Sequence, residues 1–163
     1  MKEIKGLIIC GFPGVGKSYA EQLSADIADC ESNAFRFPID WEHINEPEKM
    51  EVKEDKNWVS KYVDNIEDMA SQYGKPYVLV TSHVEVRTEM DIRGIKYIIV
   101  VPKKELKDEY LSRYVKRGSQ VSFIEKMYFY WEEWLDEIEK CAMPVIHLDS
   151  GQYIADILPI LPR

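Results

Sequence analysis

The sequence is poor in the residues that build disulfide frameworks and metal-ligand clusters. Its 163 residues include three cysteines, an odd number without a Cys-x-x-Cys pair, and three histidines, His43, His83 and His147, that are far apart. Small disulfide-held domains need paired cysteines, and structural zinc sites need closely spaced Cys or His ligands. The sequence therefore argues against both kinds of architecture.

Long apolar runs and an excess of positive charge are also missing. No run approaches the ~20 apolar residues that span a bilayer. The apolar residues 7–10 are too few for a signal-peptide core and lead directly into glycines, so we expect a cytoplasmic protein without membrane contact. With 21 Lys and Arg against 29 Asp and Glu, the net charge is −8. This balance disfavours nucleic acid as a partner, because duplex binding needs many cations at phosphates.

Apolar runs bounded by turn residues recur along the chain and predict five strands. They cover residues 6–12, 35–40, 77–82, 97–102 and 145–149. The first and the last three of these segments contain continuous apolar residues rather than alternating ones, which is typical of strands buried on both faces of a parallel sheet. The run at 35–40 is weaker, because Pro38 lacks the backbone donor that a central strand needs. We predict an edge strand there.

Segments with helical spacing separate these runs. Ala20, Leu23 and Ile27 fit one helical face after the first strand, and a longer apolar stripe occupies residues 58–73. A third stripe is expected to face the core and consists of Ile124, Met127, Tyr128, Trp131, Trp134, Leu135 and Ile138. The alternation predicts an α/β fold, a three-layer sandwich in which helices cover both faces of a five-stranded, mainly parallel sheet. The length fits one domain, residues 1–163.

Residues 11–18 match the phosphate-binding pattern G-x-x-x-x-G-K-[ST] at every fixed position. They follow an apolar strand and open a helical segment, which is the context that the pattern requires. Amides of such a loop can surround phosphates, Lys17 can reach the β and γ oxygens, and the Ser18 hydroxyl can bind Mg²⁺. We predict that the chain binds ATP and Mg²⁺. The predicted nucleotide contacts are Gly11, Phe12, Pro13, Gly14, Val15, Gly16, Lys17, Ser18 and Tyr19.

This motif, the short length and the alternation of strands and helices resemble the P-loop nucleoside and nucleotide kinases, the adenylate-kinase-like group. The resemblance implies the strand order 2-3-1-4-5, an acceptor-side insert at about residues 41–75 and a mobile lid at about residues 110–120. It also implies transfer of the γ-phosphoryl group of ATP to a small acceptor, a nucleoside or a nucleotide.

The same resemblance implies roles for residues outside the motif. Asp40, at the end of the predicted second strand, would contact the acceptor or act as a general base, with a turn or capping Asp as the alternative. Arg87 would bind the acceptor. Arg113 and Arg117, spaced i and i+4, would neutralise the transferring phosphoryl group. Solvated arginines are the alternative for all three. The loop at residues 150–152 would lie near adenine.

Other features keep a second function open. The third predicted strand ends in Thr81-Ser82-His83 rather than in the Asp that holds Mg²⁺ in hydrolytic P-loop proteins, which disfavours a motor or a GTPase. The alternative is a nucleotide-dependent regulatory ATPase that binds a protein partner. Its contact surface would include Tyr128, Tyr130, Trp131 and Trp134, if some of these rings are exposed. A homo-oligomer is equally compatible with the sequence.

Overall fold

A computed structural model describes residues 3–36, 54–71 and 74–160 of the chain. Its centre is a five-stranded sheet in the order β2-β3-β1-β4-β5, in which every neighbouring pair is parallel. The strands are β1 Leu7–Gly11, β2 Ile27–Asp29, β3 Tyr77–Thr81, β4 Ile98–Pro102 and β5 Val145–Leu148. The α/β class and the 2-3-1-4-5 order implied by the resemblance are confirmed.

Helices connect the strands and cover both sides of the sheet. They are α1 Lys17–Leu23, α2 Asn33–Arg36, α3 Trp58–Met69, α4 Val84–Ile92, α5 Lys107–Lys116, α6 Val121–Glu139 and α7 Ile154–Ile157. Short 3₁₀ helices at Lys104–Leu106 and Leu158–Ile160 precede α5 and follow α7. Within the ranges described, no helix is both long enough and apolar enough to cross a bilayer.

The first strand lies at the centre of the sheet because its residues are apolar on both faces. Ile8, Ile9 and Cys10 are buried, and the strand is paired with β3 on one side and β4 on the other. The carboxyl ends of β1 and β3 coincide, with Gly11 opposite Thr81. Parallel strands therefore deliver their following loops to one edge of the sheet, where a ligand crevice is expected.

The second strand of the sheet lies earlier in the chain than predicted: it is β2, Ile27–Asp29. Of the predicted segment 35–40, residues 35 and 36 lie in α2, where their amides donate to the Ser32 carbonyl, and residues 37–40 lie outside the described ranges. The predicted helical face through Ile27 is wrong for the same reason, since α1 already ends at Leu23. Ile27 is buried at the sheet edge opposite Tyr77 of β3.

The stripe on α6 only partly faces the core. Its fully buried members are Met127, Trp131, Leu135 and Ile138. Tyr128 and Trp134, which the sequence assigned to the same face, are 54% and 38% exposed. A helix buries a limited angular sector, and these two residues lie at its margins, where lysine stems and other rings cover them in part.

Candidate functional site

The loop of residues 11–18 joins β1 to α1 and has a backbone that only glycine adopts without strain at two positions. Gly14 and Gly16 have φ angles of 92° and 89°. A Cβ atom on Gly14 would lie 2.9 Å from a ring carbon of Tyr114, and one on Gly16 would lie 2.7 Å from Cδ1 of Tyr153. The two rings therefore pack so close to the loop that a side chain on either glycine would clash with them.

Hydrogen bonds and a ring contact from neighbouring elements hold the same loop in place. The amide of Phe12 donates to the Val100 carbonyl at 3.0 Å, and the Phe12 ring meets Trp131 edge-on with a centroid distance of 5.5 Å. The Pro13 carbonyl accepts from the Tyr114 hydroxyl at 2.7 Å, and the Val15 carbonyl accepts from the Ile154 amide at 2.8 Å. The loop is thus preorganised by β4, α5, α6 and α7 before any ligand binds.

Lys17 begins α1 and folds its side chain back over the loop. Its Nζ donates to the Gly11 carbonyl at 2.9 Å. Burial lowers the pKa of Lys17, and the negative charges of Asp29 and Glu31 oppose that shift. A buried ammonium with few partners gains stability from an anion, so this position attracts a phosphate.

A carboxylate stands beside the loop where the sequence did not predict one. The Ser18 hydroxyl donates to Oδ2 of Asp29 at 3.1 Å, and the Asp29 amide donates to Glu21 at 2.5 Å. Oδ1 of Asp29 is buried without a hydrogen-bond partner in the structure as described. Burial, followed by the charge of Glu31, raises the pKa of Asp29 to about 6. The apolar pair Ile27 and Ala28, directly followed by an acidic residue, is the sequence signal that could have identified β2.

This hydroxyl and carboxylate fit a small divalent cation. Mg²⁺ prefers oxygen ligands and is usually held by one or two protein groups together with substrate phosphates. Ser18, predicted as a metal ligand, is therefore joined by Asp29, whose Oδ1 has a free acceptor site. Within the ranges described there is no cluster of three or more His, Cys, Asp or Glu residues suited to holding a metal without such phosphates.

A cleft of about 720 Å³ opens over the loop. The loop contributes Gly14, Gly16, Lys17 and Ser18 to its lining, and Glu31 after β2 lines it as well. The other lining residues come from α5 and from the loop after β5, and they include Glu109, Ser112, Arg113, Lys116, Arg117, Gly151 and Tyr153. Tyr19, predicted as a nucleotide contact, also lines this cleft. The centroid of its ring lies 6.3 Å from the centroid of the Tyr153 ring.

The two predicted lid arginines both reach the cleft but have different surroundings. Arg113 donates to the carbonyls of Gly14 at 2.8 Å and Gln152 at 3.0 Å, and it pairs with Glu109 at 3.1 Å. Arg117 is exposed and donates to the Ser119 hydroxyl at 2.8 Å. Arg113 is therefore already engaged by the protein, whereas Arg117 can turn toward a ligand.

The predicted lid, residues 110–120, consists of the second half of α5 and the turn into α6. Gly118 occupies that turn with a φ of 79° and open space around it. The predicted adenine loop, residues 150–152, lies next to α5, because Glu109 accepts hydrogen bonds from the Ser150 hydroxyl and the Gly151 amide. Motion of this lid and contact with adenine stay predictions.

The predicted acceptor residue Arg87 is not brought into the cleft. It is 5% exposed, donates to the Ser82 carbonyl at 2.8 Å and pairs with Glu137 of α6. It lies among α4, β3 and α6 and does not line the cleft over residues 11–18. Asp40 and part of the predicted acceptor insert, 41–53 and 72–73, lie outside the described residues.

Two solved structures are similar to this fold. A tunicamycin resistance protein from Deinococcus radiodurans is 16% identical, and the match covers 93% of this chain and 91% of that one with a TM-score of 0.52. A gluconokinase from Sinorhizobium meliloti 1021 is also 16% identical, with 97% and 90% covered and a TM-score of 0.49. No protein-family model and no curated protein sequence matches the chain. At such identities the likeness concerns the fold alone: the chain has the P-loop kinase-like fold.

Proposed function

We propose that this protein is an ATP-dependent phosphotransferase that uses Mg²⁺ and transfers the γ-phosphoryl group to a small acceptor. The observation that supports the proposal is a group of charged and polar side chains around Lys17. Ser18 contacts Asp29 at the end of β2, and the charges of Asp29, Glu31 and Arg117 act on Lys17. Phosphoryl transfer needs this combination of cations, oxygen ligands and a carboxylate, because positioning and charge stabilisation provide most of the rate.

The triphosphate is held by the loop. Its amides can donate to phosphate oxygens without a rearrangement of the loop. The backbone is already held by the hydrogen bonds that Phe12, Pro13 and Val15 make with neighbouring elements. Lys17 exchanges its contact with the Gly11 carbonyl for the β and γ oxygens. Ser18 and Asp29 would hold Mg²⁺, which supplies charge neutralisation at those oxygens when bound.

The carboxylate of Glu31 receives the acceptor proton. The acceptor oxygen attacks the γ-phosphorus and forms a new O–P bond, while the bond to the β,γ-bridging oxygen breaks and its electron pair leaves with ADP. The hydroxyl proton passes to Glu31 and then to solvent. Glu31 is exposed in the lining of the cleft, close enough to Lys17 for their charges to interact, which is where an acceptor can enter.

Arg117 stabilises the transferring group from the predicted lid. Its guanidinium lies 5.0 Å from the Tyr114 ring and 5.4 Å from that of Phe123, and its Nε–H reaches Ser119 beside Gly118. Closure of residues 110–120 brings this charge to the phosphoryl oxygens and removes water that would hydrolyse ATP. Arg113, bound to Gly14 and Gln152, positions the loop for that event.

Calorimetry with Mg²⁺ and ATP tests the proposal. We expect the wild-type protein to bind ATP and the Lys17→Ala variant to lose most of that affinity, about tenfold or more. Lys126→Ala is the matched control, because Lys126 is an exposed lysine of α6 and does not line the cleft. Unchanged ATP binding by Lys17→Ala, or no binding by the wild type, contradicts the proposal.

A partner-binding ATPase is the second candidate, and exposed rings on α6 favour it. Tyr128, Phe129 and Tyr130 are 54%, 71% and 45% exposed, and Tyr130 stacks on Trp134 with a centroid distance of 5.3 Å. Exposed apolar patches of this kind are found at protein contacts. Trp131, assigned to this surface from the sequence, is fully buried and cannot contribute. Acceptor-dependent release of ADP separates the candidates, since a regulatory ATPase releases ADP without an acceptor.

A further inference from the structure

The end of the cleft beyond Lys17 is bordered by the loops that follow β2 and β3. We call the residues Asp29, Glu31, Arg36, Glu54 and His83 the acceptor wall. Arg36 and Glu54 both contact Trp58, whose ring meets His83 edge-on with a centroid distance of 6.2 Å. The charge of Lys17 interacts with Asp29 and Glu31 and also acts on His83, so both groups of residues lie near Lys17.

The positive charge on this wall is offset by a carboxylate. The guanidinium of Arg36 makes two contacts with one oxygen of Glu54, from Nη2 at 2.7 Å and from Nε at 3.2 Å. The same guanidinium lies 5.3 Å from the centre of the Trp58 ring. Arg36 is thus committed to a neutral pair rather than to an incoming anion.

The histidine of the wall carries no charge at neutral pH. Burial lowers the pKa of His83, and the positive charges of Arg36 and Lys17 act in the same direction, while Glu85 and Glu54 oppose them. An imidazole whose pKa is lowered from its ordinary value is neutral at pH 7.5. In the protein without ligand, His83 therefore donates or accepts a hydrogen bond as a neutral imidazole.

The arginine that follows β3 is turned away from the wall. Arg87 donates a hydrogen bond from Nε to the Ser82 carbonyl and another from Nη2 to Glu137 of α6. Asp29 is paired with Ser18 and would hold Mg²⁺, so the carboxylate left beside Lys17 among the residues that the structure describes in the cleft lining after β2 is that of Glu31. A phosphate monoester, a dianion at pH 7.5, would face this carboxylate.

We propose that the acceptor is an alcohol without a phosphate group, a nucleoside or polyol rather than a nucleotide or a sugar phosphate. The acceptor's hydroxyl donates to Glu31 and gives up its proton there as the new O–P bond forms and ADP leaves. Like charges at close range disfavour binding of the phosphorylated counterpart. This inference rests on the proposed function and selects between its two classes of acceptor.

Adenosine 5′-tetraphosphate probes the wall without knowledge of the acceptor. In the proposed arrangement its fourth phosphate extends past the γ position, toward Glu31. We expect calorimetry in Mg²⁺ to show that the wild-type protein binds the tetraphosphate more weakly than ATP, by about tenfold. Equal or tighter binding of the tetraphosphate overturns the inference, because it would show that the wall accepts a phosphate.

Charge reversal supplies the matched comparison. Glu31→Lys should bind the tetraphosphate more tightly than ATP, because the fourth phosphate then meets a cation. Glu133→Lys is the control for net charge: Glu133 is exposed on α6, away from the cleft, and its variant should keep the wild-type ratio. An unchanged ratio in Glu31→Lys also overturns the inference. If the wild-type protein does not bind ATP at all, the proposed function is overturned instead.

Turnover provides the second readout. Nucleosides, polyols and hexoses are compared with their monophosphates for release of ADP from Mg²⁺ and ATP at pH 7.5. We expect faster release with an unphosphorylated compound than with its monophosphate, by about a hundredfold. A monophosphate that raises ADP release above the rate of its unphosphorylated counterpart contradicts the proposal.

Discussion

The guanidinium of Arg113 donates a hydrogen bond of 2.8 Å to the carbonyl of Gly14, a residue 99 positions earlier in the chain. A second bond reaches the carbonyl of Gln152, and the rings of Tyr110 and Tyr153 lie 4.3 and 4.0 Å from the guanidinium carbon. Arg113 therefore joins the phosphate-binding loop, α5 and the loop after β5 through one planar group.

Replacement of Arg113 by Ala should affect the fold and the ligand together. The Gly14 and Gln152 carbonyls lose a charged donor, and two rings lose their partner, so we expect the free energy of unfolding to fall by about 2 kcal/mol. Nucleotide affinity should fall as well, because the loop is no longer held in place. Urea unfolding and calorimetry measure the two effects. Arg113→Lys should not restore either value, since an ammonium cannot bridge both carbonyls with the geometry of a fork.

Replacement of Arg117 by Ala should separate catalysis from stability. Its side chain is exposed and, among the residues that the structure describes, contacts the nearby Ser119 hydroxyl and two ring faces. We expect the free energy of unfolding to change by less than about 0.5 kcal/mol. Acceptor-dependent ADP release should fall by about a hundredfold or more, because the charge on the transferring group is no longer neutralised. A variant that transfers phosphate at the wild-type rate would show that the lid assignment is wrong.

Gly16→Ala tests whether the loop depends on close approach as well as on backbone conformation. Gly16 and Gly94 both have positive φ angles, 89° and 71°, but a Cβ on Gly94 meets nothing within 4 Å. Both alanine variants carry the conformational cost of about 1–2 kcal/mol. Gly16→Ala must also displace Tyr153 from 2.7 Å, so it should be the less stable variant and should lose nucleotide binding. Equal melting temperatures for the two variants would contradict this explanation.

The raised pKa of Asp29 predicts how stability changes with pH. Burial raises this pKa from its ordinary value to about 6, so between pH 4 and 6 the native state holds a proton that the unfolded chain releases. The free energy of unfolding therefore decreases as the pH rises through this range, and the whole penalty is present above about pH 7. Asp29 is partly exposed, and solvent screening reduces the effect to about 1–2 kcal/mol.

Asp29→Asn removes this titration. Its free energy of unfolding should exceed that of the wild type by about 1–2 kcal/mol at pH 8, and the difference should disappear at about pH 3, below the pKa of the unfolded chain. Urea unfolding at the two pH values measures the difference. The same variant should bind ATP with a weaker dependence on Mg²⁺, since an amide is a poorer ligand than a carboxylate. A stability difference that is independent of pH would mean that Asp29 is not the titrating group.

The parts of the fold that could be predicted are those governed by local sequence. β1, β3 and β4 are continuous apolar runs that are largely buried, and β5 at the sheet edge begins with two partly buried apolar residues. The predicted segments contain all four observed strands. The glycine loop follows from its own residues. β2 escaped prediction because three residues carry too little pattern, and because Ile27 continues the spacing of Ala20 and Leu23 by coincidence.

The parts of the site that escaped prediction depend on tertiary contacts. Asp29 reaches Ser18 only because β2 lies at the sheet edge next to α1. The spacing of Arg113 and Arg117 placed both on one side of a helix, and both line the cleft. Their different roles arise from partners that no local pattern contains, since the carbonyl of Gln152 is 39 positions from Arg113.

Trp131 and Trp134, three positions apart on α6, should lose very different amounts of stability when each is replaced by alanine. Trp131 is fully buried, donates to the Lys104 carbonyl at 2.9 Å and supports Phe12 beneath the phosphate-binding loop. Trp131→Ala leaves a cavity and an unpaired carbonyl, so we expect a loss of about 3–5 kcal/mol and a marked decrease in nucleotide affinity. Trp134→Ala removes an exposed ring that stacks on Tyr130 and should cost about 1 kcal/mol or less. Thermal and urea unfolding distinguish the two, and a comparable loss in both variants would mean that Trp134 is covered in solution by a partner or a second copy.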